Sequence, residues 1–109
     1  GVRAGRISMN RFVEITATNP AKIFGLYPKK GTIAVGCDAD LLVWDGEHRH
    51  TLSEQTLHMR CDYTPYEGRE VVGAPTHVLV RGKVVVENGK YLGKKGDGKF
   101  IKRGTFNLM

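Results

Sequence analysis

The spacing of hydrophobic positions changes along the chain, and each change predicts an element. In ISMNRFVEITATNPAKIFGL (7–26), Met9, Phe12 and Val13, with Thr16, recur at the three- and four-residue spacing of an amphipathic helix. Ser8 stands where an N-cap belongs, and Ile7 before it can pack on Phe12 as a staple. Asn19-Pro20 predicts a stop and a fresh start. Asn19 would cap a second short helix, and Pro20 would fill its first position, where a missing N–H costs nothing. Gly25 predicts a left-handed end to that helix.

From Gly31 the period shortens to two. TIAV (32–35) and DLLVWD (40–45), bounded by Gly36 and Gly46, predict the two strands of a hairpin, with Asp38 and Asp40 at the reversal. SEQTL (53–57), with Ser53 as cap, predicts one helical turn, and CDYTPYEGREVVGAP (61–75) predicts a loop. THVLVRGKVVVENGKYL (76–92) predicts an antiparallel meander turning at Arg81-Gly82 and Asn88-Gly89. The strands number five at most. After Gly93 the order fades into a basic, glycine-rich tail. The opening helices carry an apolar face with little in this sequence to cover it, which reads as the end of something larger.

Composition narrows the class. A chain of 109 residues with 40% hydrophobic and 26% charged content is globular and long enough for one domain with a modest core. No apolar run approaches the ~18 residues of a membrane span, and no secretory signal is visible, so no membrane partner is expected. Cys37 and Cys61 form neither a C-x-x-C nor a disulfide framework, and two reduced thiols predict a cytoplasmic protein. The first residue is Gly1, which fits a mature start, a removed tag or a fragment. The net charge of +6 is concentrated beyond Lys90, where Lys90, Lys94, Lys95, Lys99, Lys102 and Arg103 face only Asp97. No aromatic platform is interleaved with them, so a solvated tail is expected rather than a nucleic-acid partner.

Four motifs invite a chemical reading. His48 and His50 have the His-x-His spacing that puts two rings on one side of a strand. A zinc site needs further ligands, His58 and His77 stand at no compelling spacing, and GEHRH follows a glycine on polar ground, so a surface loop is expected. GKKGDGK (93–99) nearly matches a phosphate loop, but Phe100 stands where the magnesium-holding hydroxyl belongs and no helix pattern follows. Asp38 and Asp40 could do acid–base work, yet Asp in a turn more often bonds its own backbone two residues on. Ser8 and Ser53 are better explained as caps than as nucleophiles. The residues alone predict no catalytic, cofactor-binding or metal site in this chain.

NPAKIFGL (19–26), KGTIAVGCDADLLVWD (30–45), DYTPYEG (62–68), GAPTHVLVRGKVVVENGKYLG (73–93) and GDGKFIKR (96–103) occur in the order and spacing of the closing stretch of the hydantoinase and dihydropyrimidinase family of cyclic amidohydrolases. The chain strongly resembles that family over essentially its whole length. The first two motifs are shared widely among metal-dependent amidohydrolases, and DYTPYEG narrows the resemblance to this branch.

The resemblance implies a (β/α)8 barrel holding two zinc ions and a small β-sandwich built from both chain ends. The zinc ligands would be an early His-x-His, a carbamylated lysine, two further histidines and an aspartate. All of them would lie upstream of Gly1, so the HRH of this chain matches none. A barrel alone takes about 250 residues. The implied fold is therefore mainly β: the C-terminal part of the sandwich plus the closing helices of the barrel. Residues 1–27 would be those helices, 28–93 the half-sandwich and 94–109 a basic tail. The implied reaction is hydrolysis of a cyclic amide, of hydantoins or dihydropyrimidines, by a metal-bound hydroxide. The implied partners are the N-terminal remainder of the same enzyme, a cyclic amide substrate and, as a tetramer, further copies, with the tail lying across a neighbouring subunit. This segment would be structural and inactive alone. The alternative is a segment of a non-enzymatic dihydropyrimidinase-related scaffold protein. DYTPYEG, and the absence of a long extended tail, favour the enzyme.

Overall fold

The computed structural model describes residues 1–106; the last three positions of the expected 94–109 tail lie outside the described residues. One helix opens the chain. It runs without a break through α1 (Met9–Val13), a π turn (Glu14–Thr18) and α2 (Asn19–Ile23). Ser8 caps it as expected, its hydroxyl accepting the Arg11 N–H at 3.1 Å.

The expected stop at Asn19-Pro20 does not occur. Asn19 has helical dihedrals and caps nothing. A proline inside an α-helix removes one hydrogen bond and presses its ring on the carbonyl four residues back, here that of Thr16. The wider π turn lies directly before Pro20, and in it the Asn19 N–H reaches the Glu14 carbonyl five residues back. That extra residue in the turn lets the helix absorb the proline instead of ending. The helix does end at Gly25, whose φ is +69°. The Gly25 N–H bonds the Lys22 carbonyl at 3.2 Å and the Leu26 N–H bonds the Ala21 carbonyl at 2.8 Å, a Schellman closure.

Four strands form one antiparallel sheet in the order β1 (Leu41–Thr51), β2 (Glu70–Val80), β3 (Lys83–Glu87), β4 (Lys90–Tyr91). The meander is as expected. Arg81 and Gly82, and then Asn88 and Gly89, all have positive φ, the requirement of a type I′ turn. Three expectations about the strands are corrected. TIAV (32–35) forms no strand, because no strand among the described residues lies beside it to take its backbone hydrogen bonds. HRH (48–50) is not loop but the far half of β1, where Arg49, His50 and Thr51 pair with Val72, Val71 and Glu70. The loop expected over 61–75 ends at Arg69, since β2 begins at Glu70.

Residues 31–40 make an irregular loop tied at its base. Asp38 N–H bonds the Lys29 carbonyl at 2.9 Å, and the Thr18 hydroxyl bonds the Gly31 carbonyl at 2.8 Å. Gly31 sits so close to the helix that a Cβ there would fall 2.9 Å from the Ala17 carbonyl oxygen.

Little is buried. Ala21, 6% exposed, is the only buried hydrophobic among the described residues. Phe12, Val13 and Ile23 on the helix, Phe24 at its C-cap, Ile33 and Val35 in the loop, and Leu42, Val43 and Trp44 on β1 all face solvent. No Cα of the helix comes within 8 Å of a Cα of the sheet. The architecture is thus one helix and one antiparallel sheet, joined by loops, with their apolar faces open.

Candidate functional site

The acidic pair expected at a hairpin reversal, Asp38 and Asp40, is a structural clamp at the base of the 31–40 loop. Lys30 lies between the two carboxylates, 2.9 Å from Asp38 and in a closer ion pair with Asp40. The other oxygen of Asp40 accepts the Arg81 N–H at 2.8 Å, and the Gly82 N–H bonds the Ala39 carbonyl at 2.9 Å. The base of the 31–40 loop is thereby fastened to the β2–β3 turn. Burial pushes the Asp40 carboxyl up, but the Lys30 ammonium and the Arg81 N–H outweigh it and hold the group below the usual carboxylate range. Burial likewise works against the Lys30 charge, and Asp40 and Asp38 more than restore it, raising its pKa. The pair was expected to bond its own backbone. Instead it bonds across the fold, because Lys30 stands ten residues from Asp40 at the other side of the same loop.

The histidines divide between faces. His48 and His50 alternate on β1 and share a face, with ring centroids 5.4 Å apart. They border an open concavity of about 1120 Å³ with His58, Val78, Val86 and Tyr91. His58 was not expected there: it arrives from the 52–69 loop, and no spacing in the sequence signals the approach. Nδ1 of His50 is buried without a hydrogen-bond partner. His77 is an odd neighbour of Thr76 and Val78, which line the concavity, and so points to the other side of β2. There its Nε2 lies 3.4 Å from the Glu87 carboxylate across the ladder. No three histidine, cysteine, aspartate or glutamate side chains among the described residues converge as a metal site. Cys37 and Cys61 are free thiols.

The GKKGDGK stretch folds as a turn around Asp97. The carboxylate accepts from the Lys83 ammonium and from the Lys94 N–H, both at 3.0 Å, and the Asp97 carbonyl accepts from the Arg81 guanidinium. The Lys83 hydrogen bond first, then the Lys94 N–H, hold the Asp97 carboxyl below its ordinary range. No helix follows among the described residues to receive a phosphate. Ser8 and Ser53 serve as caps: the Ser53 hydroxyl accepts the Gln55 N–H at 3.3 Å in the single turn expected there.

Residues 2–85 match the model of the amidohydrolase family. The chain is 53% identical over 106 residues to a D-hydantoinase of Ralstonia pickettii, covering 97% of this chain and 23% of that protein. It is 48% identical over 106 residues to a dihydropyrimidinase of Rattus norvegicus, covering 97% of this chain and 20% of that protein. Its fold superposes on a crystal structure of D-hydantoinase from Bacillus sp. AR9 with a TM-score of 0.96 at 51% identity, over 100% of this chain and 24% of that one. The chain therefore spans less than a quarter of the length of these relatives.

Proposed function

We propose that this chain, which belongs to the amidohydrolase family, is the C-terminal segment of an enzyme that hydrolyses the cyclic amide bond of hydantoins or dihydropyrimidines. The observation that carries the reading is coverage. Half of the residues are identical to D-hydantoinases along nearly the whole chain, and the fold is the same, yet the match takes up less than a quarter of those enzymes. The open apolar faces of helix and sheet support it, since they are the surfaces a larger body would cover.

On this reading residues 1–27 close the barrel, 28–93 form the C-terminal half of the sandwich and 94–109 form the tail. Two zinc ions are the metal centre that the family resemblance implies, and the residues here do not fit one. His48 and His50 face the same way, but nothing among the described residues supplies the converging third and fourth ligands that zinc takes. The metal ligands and the groups that open the ring are assigned to the remainder of the polypeptide. The part played by this chain is to complete the fold and support assembly, as a homotetramer of a cytoplasmic enzyme.

The test is direct. The full-length polypeptide should open hydantoin or dihydrouracil, followed as loss of ring absorbance, and these 109 residues alone should not exceed the uncatalysed rate. A full-length protein that binds neither ring nor opens it would replace this reading with that of a non-enzymatic relative.

A further inference from the structure

Helix and sheet do not pack on each other, so their relative placement depends on what runs between them. One connector is the 24–40 loop with its Lys30 clamp. A second is the segment before the helix, where the Arg3 guanidinium donates to the Gly46 carbonyl and pairs with Glu47 of β1 at 3.0 Å. The third is the tail, which leaves β4 and returns to the end of the helix. It is fastened at two points. At the sheet, Asp97 gathers Lys83, the Lys94 N–H and Arg81, and its own N–H bonds the Lys94 carbonyl at 3.2 Å to close the turn. At the helix, the Gly104 N–H donates to the Gly25 carbonyl at 2.7 Å.

The second fastening is a backbone-to-backbone approach. A Cβ built on Gly25 would collide with the Gly104 carbonyl. Gly25 is also the left-handed residue that ends the helix, and the Gly104 N–H satisfies its carbonyl. The helix end and the β2–β3 turn are thus linked through the tail, which is hydrogen-bonded to one at Gly104 and to the other at Asp97.

We propose that residues 94–104 are a latch, fastened to the sheet at Asp97 and to the helix at Gly104, that fixes how the helix and the sheet sit relative to each other. The latch itself does not depend on the enzyme reading. Its consequence does: with the helix in a barrel wall and the sheet in a sandwich, the latch sets the seating of one on the other.

The two fastenings can be opened separately in the full-length polypeptide. Asp97→Asn keeps the shape and removes the charge that holds Lys83. Gly104→Pro removes the N–H given to Gly25. Gly104→Ala is the control, because a Cβ there meets the Gly25 oxygen only at 3.6 Å, an ordinary contact, and the N–H remains. The readouts are the rate of brief tryptic cleavage after Lys99 and Lys102 in every variant and, in the parent and Asp97→Asn, hydrogen exchange at the Gly104 amide. Gly104→Pro should speed cleavage about tenfold, the order of change produced by a loss of ~1.4 kcal/mol in local closing, and Asp97→Asn should speed it measurably but less, because that carboxylate is exposed. Gly104→Ala should cleave as the parent does. Unchanged rates in the first two variants, or equal acceleration in all three, would overturn the latch. Should a variant fail to fold, the unaltered protein decides: a Gly104 amide that exchanges as fast as that of Gly98 means no latch. Ring opening is not a readout here, so failure of the latch and failure of the enzyme reading are separate results.

Discussion

Asp40 holds two parts of the molecule together through its two oxygen atoms: one meets Lys30 at the base of the loop, the other the Arg81 N–H in the β2–β3 turn. Because its pKa in the folded chain lies below the ordinary 3.8, the stability it contributes is complete above that value and is lost as the pH falls through the depressed one. The Arg81 amide shift, followed by NMR in the full-length polypeptide, should therefore titrate with a midpoint below 3.8, and a midpoint at or above it would contradict the clamp. Lys30 behaves in the opposite sense. Its raised pKa makes its contribution complete below 10.5 and lost only as the pH rises past that value. Asp40→Ala removes both bonds and leaves Lys30 with Asp38 alone. The cost should be about 1–2 kcal/mol in urea unfolding, at the lower side of charged hydrogen bonds because Asp40 is partly exposed. A loss under a few tenths would mean the clamp contributes nothing. At the histidines the expectation is equally concrete. After dialysis the chain should retain no stoichiometric zinc by elemental analysis, and one zinc per chain that disappears in His48→Ala would place a metal site here.

At the scale of elements, what the sequence revealed depended on how local the signal was. The two type I′ turns are set by Arg81-Gly82 and Asn88-Gly89 themselves, so the meander was legible. Asn88→Val puts a β-branched residue at a φ of +47° and should cost about 1–2 kcal/mol by thermal or urea unfolding. No loss would show that the turn tolerates another geometry. The Ser8 cap and the Gly25 stop were legible for the same reason. Pro20 signals a break in the sequence, while the π turn that accommodates it leaves no mark in the residue pattern. TIAV misleads in the other direction. It has the alternation of a strand, but a strand exists only where another lies beside it, and none does among the described residues. HRH has the look of a loop because Gly46 and the polar run after it end the alternation. The structure carries β1 past that point through an irregularity between Asp45 and Arg49, with the Asp45 carboxylate accepting the Glu47 N–H at 2.9 Å. The Lys30 and Asp97 clusters were not legible, since their partners come together only when loops separated in sequence fold onto one turn.

For the molecule as a whole, the question is what covers the apolar residues. Phe12, Val13, Ile15 and Ile23 lie on the helix and Phe24 at its C-cap, and all are substantially exposed, as are Ile33 and Val35 at the loop tip and Leu42, Val43 and Trp44 on β1. Burying one such side chain fully is worth roughly 1.5–3 kcal/mol, and the whole stability of a domain is only about 5–15 kcal/mol. A chain that leaves this many open forgoes most of the driving force that a domain of its size relies on. The hydrogen-bonded clamps cannot replace it, since a typical hydrogen bond contributes only on the order of 1 kcal/mol net and exposed ion pairs little more than nothing. The isolated 109-residue chain should therefore melt broadly, bind a hydrophobic dye and sediment as associated species. The same residues within the full-length polypeptide should unfold cooperatively with the rest. Sedimentation and thermal melting of the chain alone decide the matter. A strict monomer with a sharp, reversible melt at high temperature would mean that the sheet and helix are self-sufficient, and the reading of this chain as one segment of a larger amidohydrolase would have to be given up.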